Sequence, residues 1–532
     1  MILVILDGWG LAPASSGNAI TLSKTPTMDY LAKNYPYTRL EASGRFVGLP
    51  ANQDGNSEAG HMNIGAGRLT EQDSTRISNN IANGTFFKNP AFMEAVGHAR
   101  QNKSSIHLMG MLGNNMSAHS DPNHLQALLR FLREQGIKEI NLHLFTDGRD
   151  SPKYAGLKLI NALEKTLGAE ETVNTVMGRF YAMDRKKVWS RTELAYNSLT
   201  IGKSGKLPCR EAPSAVAAIT ESYNRGESDE FMEPYIITKD GKPTRRIKDG
   251  DSVIFFNLRS DRARQIAKVF VQPDFEKLNP GAFKRKVVFK NVRFVAMTDF
   301  GPDLNNILSA FPGPDLRETL PKRLGHLSQL YIAESEKYAH VTYFFNGGYA
   351  DPVAGEKRQL IASPNVRSYD ETPAMSSAAL TKTVVDNLKK RKFDFTVLNF
   401  AAPDMVGHTG NLNAAIKCCH LVDKELDVLV RAYLKIGGSL LVTADHGNIE
   451  EMINLETSEI DTEHSTNQVP FILVNDSLKS KINLEEGILG DIAPTILSLL
   501  GQETPREMTG KSLIKFKIPP EFPVKAWRAG QS

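Results

Sequence analysis

The sequence predicts an α/β protein: one domain with a largely parallel sheet flanked by helices, interrupted by an inserted second α/β domain. Three observations predict it. Short apolar runs alternate with longer stretches of helical periodicity, the rhythm of parallel strands joined by crossover helices. At 532 residues the chain is too long for one ordinary core. Two breaks in composition also separate outer pieces rich in metal-ligand residue types from a middle rich in distinctive arginines.

Strands are expected at 2–6, 105–112, 140–145, 173–177, 252–256, 292–297, 341–345, 395–400 and 439–442, each a short apolar run bounded by turn residues. Helices are expected at 122–134, 154–166, 187–200, 214–224, 262–270, 376–390, 414–434 and 489–499, where apolar residues recur at helical spacing. Phe311-Pro312-Gly313-Pro314 reads as a linker, and a weaker boundary lies at 71–78. The expected domains are therefore 1–74 with 312–532, carrying the metal-type residues, and 75–311, carrying the arginines. No repeat and no low-complexity tract interrupts this pattern.

Composition narrows the function classes. A hydrophobic fraction of 41% and a charged fraction of 23% are those of a soluble globular protein. No window approaches the roughly 18 unbroken apolar residues of a membrane helix. The run 2–6 is too short for a secretory core and lacks basic residues before it. A strand starting at residue 1 raises the expectation of a few residues upstream. A net charge of +4, spread along the chain, is not the dense stripe of a nucleic-acid binder. Cys209, Cys418 and Cys419 have no metal-ligand spacing and suit a reducing compartment, so the expected location is cytoplasmic. The expected oligomeric state is a monomer.

In open α/β sheets, ligands bind beyond the carboxyl ends of the strands. The run 2–6 ends in Asp7-Gly8. The run 395–400 leads to Asp404 and His408, the run 439–442 to Asp445-His446-Gly447, and a later loop holds Glu463-His464. Mixed carboxylate and imidazole ligands suit borderline divalent ions such as Mn²⁺, Zn²⁺ or Co²⁺. Taken singly, an Asp after a strand can be a helix cap and a His an ordinary core residue. Their joint occurrence at successive strand ends points to metal.

The segment 55–68, Gly-Asn-Ser-Glu-Ala-Gly-His-Met-Asn-Ile-Gly-Ala-Gly-Arg, places Ser57 where a turn leads into a helix, a position that favours an anion. The bland alternative is an N-cap serine among turn glycines. No Gly-x-Ser-x-Gly elbow marks an acyl hydrolase. A metal would activate such a serine without a dedicated base.

Asp7-Gly8-Trp9-Gly10, the segment 55–68, Pro403-Asp404-Met405-Val406-Gly407-His408 and Thr443-Ala444-Asp445-His446-Gly447-Asn448 resemble the motifs of the cofactor-independent phosphoglycerate mutase family. That family lies within the alkaline phosphatase superfamily, and the resemblance runs to about residue 510. It implies an alkaline-phosphatase-like metal domain and interconversion of 3-phosphoglycerate and 2-phosphoglycerate through a phosphoserine. It implies two divalent ions, Mn²⁺ foremost with Co²⁺, Mg²⁺ or Zn²⁺ as alternatives, and no 2,3-bisphosphoglycerate. Asp404, His408 and His464 would hold one ion. Asp7, Ser57, Asp445 and His446 would hold the other, with Ser57 as nucleophile.

The middle of the chain carries arginines in Thr146-Asp147-Gly148-Arg149-Asp150, Gly178-Arg179-Phe180-Tyr181-Ala182-Met183-Asp184-Arg185 and Leu258-Arg259-Ser260-Asp261-Arg262. Arginine grips phosphate and carboxylate with a planar fork, although any single exposed arginine is ordinarily a solvated charge. By the resemblance, His119, Arg149, Asp150, Arg185, Arg191, Arg259 and Arg262 bind the glycerate part and Lys337 contacts the transferring phosphoryl group. Asp150, with His119, would exchange protons with the glycerate hydroxyls. Closure of a second domain on hinges at 71–78 and 312–315 is expected to exclude water and limit turnover. The chain departs from the family pattern at Ser260, often proline, at Asp54, usually uncharged, and in the longer basic stretch 274–291, to which the sequence assigns no role. Rival readings are a phosphatase, sulfatase or phosphopentomutase on the same cradle, and a non-catalytic phospho-ligand sensor.

Overall fold

The computed structural model describes residues 1–114, 117, 119–201, 209–301, 304, 306–313, 316–455 and 457–517. The chain divides into two compact units, Met1–Gln72 with Asp315–Ser532, and Asp73–Pro314. Pro314 and Asp315, part of the expected linker and hinge, lie outside the described residues. Among the described residues no helix is long and apolar enough to cross a membrane.

The first unit is built on an eight-stranded sheet. In spatial order its strands are Lys357–Ile361, Gln329–Glu334, Phe395–Phe400, Ile2–Leu6, Leu440–Thr443, Val469–Val474, Tyr37–Glu41 and Gly487–Ile488. The first five are mutually parallel. The central Ile2–Leu6 is buried at every residue, as a parallel strand covered on both faces must be. Its carboxyl end therefore lies beside those of Phe395–Phe400 and Leu440–Thr443, which gathers Asp7, Asp404 and Asp445 at one edge.

The second unit has a nine-stranded sheet. Six parallel strands run in the order Ile307–Phe311, Arg293–Thr298, Ser252–Phe255, Ile106–Met111, Ile140–Thr146 and Glu171–Gly178. Alternate residues feed two separate cores: Ile106, Leu108, Leu142 and Val295 on one face, Met109, Phe145, Phe255 and Phe294 on the other. The basic stretch 274–291 closes the second of these cores with Phe275, Phe283 and Phe289. Buried Arg285 donates there to the carbonyls of Val269, Gln272 and Pro273 and to Glu276.

Most expected elements form. One does not: residues 341–345 lie not in a strand but largely in a π-helical turn, His340–Phe344. An apolar run of this length fits a buried helical turn as well as a strand. The strand of this region is instead Gln329–Glu334, just before Lys337. Val469–Val474 also escaped the sequence reading, because Pro470 interrupts it and proline argues against an inner strand.

A chain of polar groups crosses the interior of the second sheet. His107 Nε2 faces Asp251 at 3.1 Å, His107 Nδ1 faces His143 Nε2 at 2.9 Å, and His143 Nδ1 faces Thr175 Oγ1 at 2.8 Å. With both rings neutral and an ionised Asp251 that can only accept, one direction fits: Thr175 donates to His143, His143 to His107, and His107 to Asp251. Burial holds both below the ordinary histidine range; Arg245 and Arg246 reinforce this at His107, and His107 and Arg246 at His143. The unfolded chain takes up protons below about pH 6.5 that the folded one refuses. Stability is therefore fully present above that pH and falls as pH drops, by up to about 1.4 kcal/mol per histidine per pH unit. Denaturant unfolding followed across this range should lose the His143 share of that slope in His143→Gln; an unchanged slope would contradict the neutral pair.

Candidate active site

Ser57 is the first residue of the helix Ser57–Ala66. Capping is done by Asn56, whose side chain accepts from the Ala59 amide at 2.9 Å, so the Ser57 hydroxyl has no capping role. The helix approaches the strand-end loops closely because it carries glycines: a Cβ at Gly60 would lie 2.5 Å from the Asp445 carbonyl oxygen, and one at Gly65 would strike the backbone of Phe345. Gly8, at φ 72°, likewise leaves room for Asp404, whose Cα lies 2.8 Å from where a Cβ would be.

The hydroxyl meets three groups. Ser57 Oγ donates to Asp7 Oδ1 at 3.2 Å, lies 2.9 Å from His446 Nε2, and accepts from Lys337 Nζ at 2.6 Å. The Lys337 ammonium also donates to Asp7 Oδ1 and Asp404 Oδ2, each at 2.6 Å. Burial alone would discharge Lys337, but Asp404 and Asp7 hold it well above the ordinary lysine range. Burial likewise opposes the charge of Asp7 and Asp404, and Lys337 outweighs it, with His446 helping at Asp7 and His408 and His464 at Asp404; both stay far below the usual carboxylate range. Burial lowers His446, yet Asp445 and Asp7 push it up to about 9.

Two donor groups converge around this hydroxyl: Asp7, Asp445 and His446, and Asp404, His446 and His464. His408 stands beside the second, its Nε2 3.3 Å from Asp404 Oδ1 and 3.0 Å from His464 Nε2. The outer nitrogens of His408 and His464 face the carbonyls of Thr462 and Gly55 at 2.7 and 2.8 Å, which turns both Nε2 atoms inward as acceptors. Fully buried Asp445 Oδ2 has no hydrogen-bond partner, although His61 Nδ1 lies 3.1 Å away. That nitrogen is committed instead to the Ser57 carbonyl at 2.9 Å. A buried carboxylate oxygen left without a donor, amid carboxylates and inward-facing imidazoles, fits divalent cations.

The second unit holds a separate cluster. Asp150 Oδ2 accepts from Arg179 Nη1 at 2.7 Å and Ser117 Oγ at 2.8 Å, with His119 Nε2 at 3.9 Å. Arg185 donates to Asp261 at 2.6 Å, and Arg259 Nε lies 3.6 Å from the same carboxylate. Arg191 pairs with Asp184 at 3.1 Å and stacks on Phe180. Arg149 is turned toward Glu230 at 3.7 Å rather than toward its sequence neighbours' carboxylates. Burial and then Arg179, Arg185 and Arg149 depress Arg262. Burial, Arg179 and Arg259 bring His119 down to about 3. Cations that disfavour one another in this way are relieved by an anionic ligand.

Residues 1–504 match the Metalloenzyme superfamily. The chain is 46% identical over 521 residues to the 2,3-bisphosphoglycerate-independent phosphoglycerate mutase of Clostridium kluyveri, covering 97% of this chain and 99% of that one. It is 47% identical over 517 residues to that of Clostridioides difficile, with 96% and 98% covered. It also superposes on the crystal structure of Leishmania mexicana phosphoglycerate mutase at low cobalt concentration, with a TM-score of 0.77, 30% identity and 97% of each chain covered. The chain belongs to the 2,3-bisphosphoglycerate-independent phosphoglycerate mutase family.

Within this family member, several groups that touch the expected site residues went unread in the sequence. Asn399 donates to Asp7 Oδ2 at 2.6 Å and faces His61 Nε2 at 3.1 Å. Asn448 donates to Asp404 Oδ1 at 3.0 Å. Arg179, buried between Asp147 and Asp150, was quoted only as part of a motif. Asn399 is the penultimate residue of Phe395–Phe400, the strand that leads to Asp404, and that place near the strand end is the one signal that could have flagged it. Asp54, half-buried, has its carboxyl raised by burial and by Asp461, Glu463 and Glu451. Ser260 opens the helix Ser260–Val271, where proline is tolerated equally well.

Proposed function

We propose that this protein interconverts 3-phosphoglycerate and 2-phosphoglycerate through a phosphoserine at Ser57, without 2,3-bisphosphoglycerate. The observation that carries this reading is the Ser57 hydroxyl held at once by Asp7, His446 and Lys337 inside two cation-type donor groups. Two divalent ions, Mn²⁺ in our reading, would be held by Asp404, His408 and His464 and by Asp7, Ser57, Asp445 and His446; they would favour the serine alkoxide and neutralise the phosphoryl oxygens.

Asp7 receives the hydrogen bond of the hydroxyl and Lys337 stabilises the oxygen as it loses its proton. As Ser57 Oγ bonds to phosphorus, the bond from phosphorus to the 3-oxygen of glycerate breaks and that oxygen takes a proton. Arg149, Arg185, Arg191, Arg259 and Arg262 retain the glycerate through its carboxylate and hydroxyls. The 2-hydroxyl then gives up its proton, attacks phosphorus, and Ser57 leaves. Asp150 and His119 are the proton-exchange pair: Arg179 draws Asp150 below the ordinary range, with burial opposing, and anionic substrate beside these arginines makes both groups more basic.

The reading keeps a monomer and a cytoplasmic location, the latter because Cys209, Cys418 and Cys419 are few and lack metal-ligand spacing, as suits a reducing compartment. Incubation with 3-phosphoglycerate and Mn²⁺, with no bisphosphoglycerate added, should yield 2-phosphoglycerate. Accumulation of free phosphate alone would make the protein a phosphatase. Chelation should abolish turnover, and Mn²⁺ or Co²⁺ should restore it; full activity after exhaustive chelation would remove metal from the reading.

A further inference from the structure

Buried Glu450 is not among the expected ligands, yet its carboxylate ties together three of the loops that bear them. Its Oε2 accepts from the Gly10 and Asn448 amides, each at 2.9 Å. Its Oε1 accepts from the Ser465 hydroxyl and from Asn467 Nδ2 at 3.0 Å. Gly10 follows Asp7 by three residues, Asn448 follows Asp445 and His446, and Ser465 follows His464. All four donors are neutral, and together they fill the acceptor sites of one carboxylate.

The backbone is shaped around this group. A Cβ at Gly10 would collide with the Glu450 carboxyl carbon and oxygens, and one at Gly447 would meet both Glu450 Oε1 and Ser465 Oγ. Two glycines thus give space to one side chain. Asn448, whose amide N–H the carboxylate holds, passes the constraint on through its own bond to Asp404 Oδ1.

We propose that Glu450 is the positioning residue of the cation cradle, fixing the mutual placement of Asp7, the Asp445–His446 pair and His464 and adding a negative charge behind them. The inference rests on the two-cation reading above. Glutamine is nearly the same shape, but whichever way its amide turns, an NH₂ is set against a pair of groups that now donate.

The test uses the full-length protein, with Mn²⁺ binding followed by calorimetry and Co²⁺ by visible absorption, in wild type, Glu450→Gln and Ser465→Ala. Glu450→Gln should weaken both equivalents of Mn²⁺ by about 10–100-fold and shift the Co²⁺ bands. Ser465→Ala, which removes one neutral donor, should weaken a single equivalent by a few-fold and folds even if the glutamine variant does not. Wild-type affinity and an unchanged Co²⁺ spectrum in both variants, or in Ser465→Ala alone where Glu450→Gln fails to fold, overturns the proposal, as does a Glu450→Gln that loses only thermal stability. A wild type that binds neither ion sinks the two-cation reading and this inference with it, whereas tight wild-type binding matched by the variants sinks this inference alone.

Discussion

Ser57→Ala lowers mutase turnover by a factor on the order of 10⁴ or more, because no other hydroxyl stands among Asp7, His446 and Lys337 in the hydrogen bonds described for this cradle. The variant keeps its fold, since the helix is capped by Asn56 and not by the lost hydroxyl. It should also still bind a cation at Asp404, His408 and His464, none of which bonds to Ser57. Rapid quench with ³²P-labelled 3-phosphoglycerate should show label on the wild-type protein and none on the variant. Turnover near the wild-type rate would remove the serine from the reaction.

Lys337→Ala separates two roles that a static picture merges. Its ammonium touches the Ser57 hydroxyl and two carboxylates, so its loss should lower kcat by about 10²–10³-fold, the usual effect of removing one donor aimed at developing charge. In chelated protein, Asp7 and Asp404 are left buried without their shared cation, a loss of about 3–5 kcal/mol. Divalent ions supply that missing charge, so Mn²⁺ should restore the variant's thermal stability while leaving kcat low. If Mn²⁺ binds the variant poorly, Lys337 supports the ion rather than the transferring group, and the proposed role is wrong.

The cradle was legible because three of its carboxylates follow apolar strand runs, and an open sheet brings such ends together whatever the distance in sequence. Asp7, Asp404 and Asp445 are brought together in this way. What could not be read is the layer behind. Glu450 and His61 look like any polar residues in a sequence, and only the folded backbone shows which amide or carbonyl each one meets. The strand before Lys337 was missed, and the turn after it was taken for the strand, because a short apolar run carries no period long enough to separate the two. The arginine cluster was read as a set, but its internal pairing was not: Arg179 rather than Arg149 holds Asp150, a choice made by burial.

The helix that begins at Ser57 is poorly suited to exist alone. Ser57–Ala66 includes Gly60 and Gly65, each costing roughly 1 kcal/mol of intrinsic helicity relative to alanine, and ten residues are too few for a free helix in water. Its order is borrowed from Asp445 and Phe345, against which those glycines are pressed. A nascent or partly opened chain therefore presents a slack serine with ordinary hydroxyl reactivity. Amide hydrogen exchange through 59–65 should accordingly track the opening of the Asp445 loop, and the potential to form a phosphoenzyme should appear only in chains whose first sheet is complete.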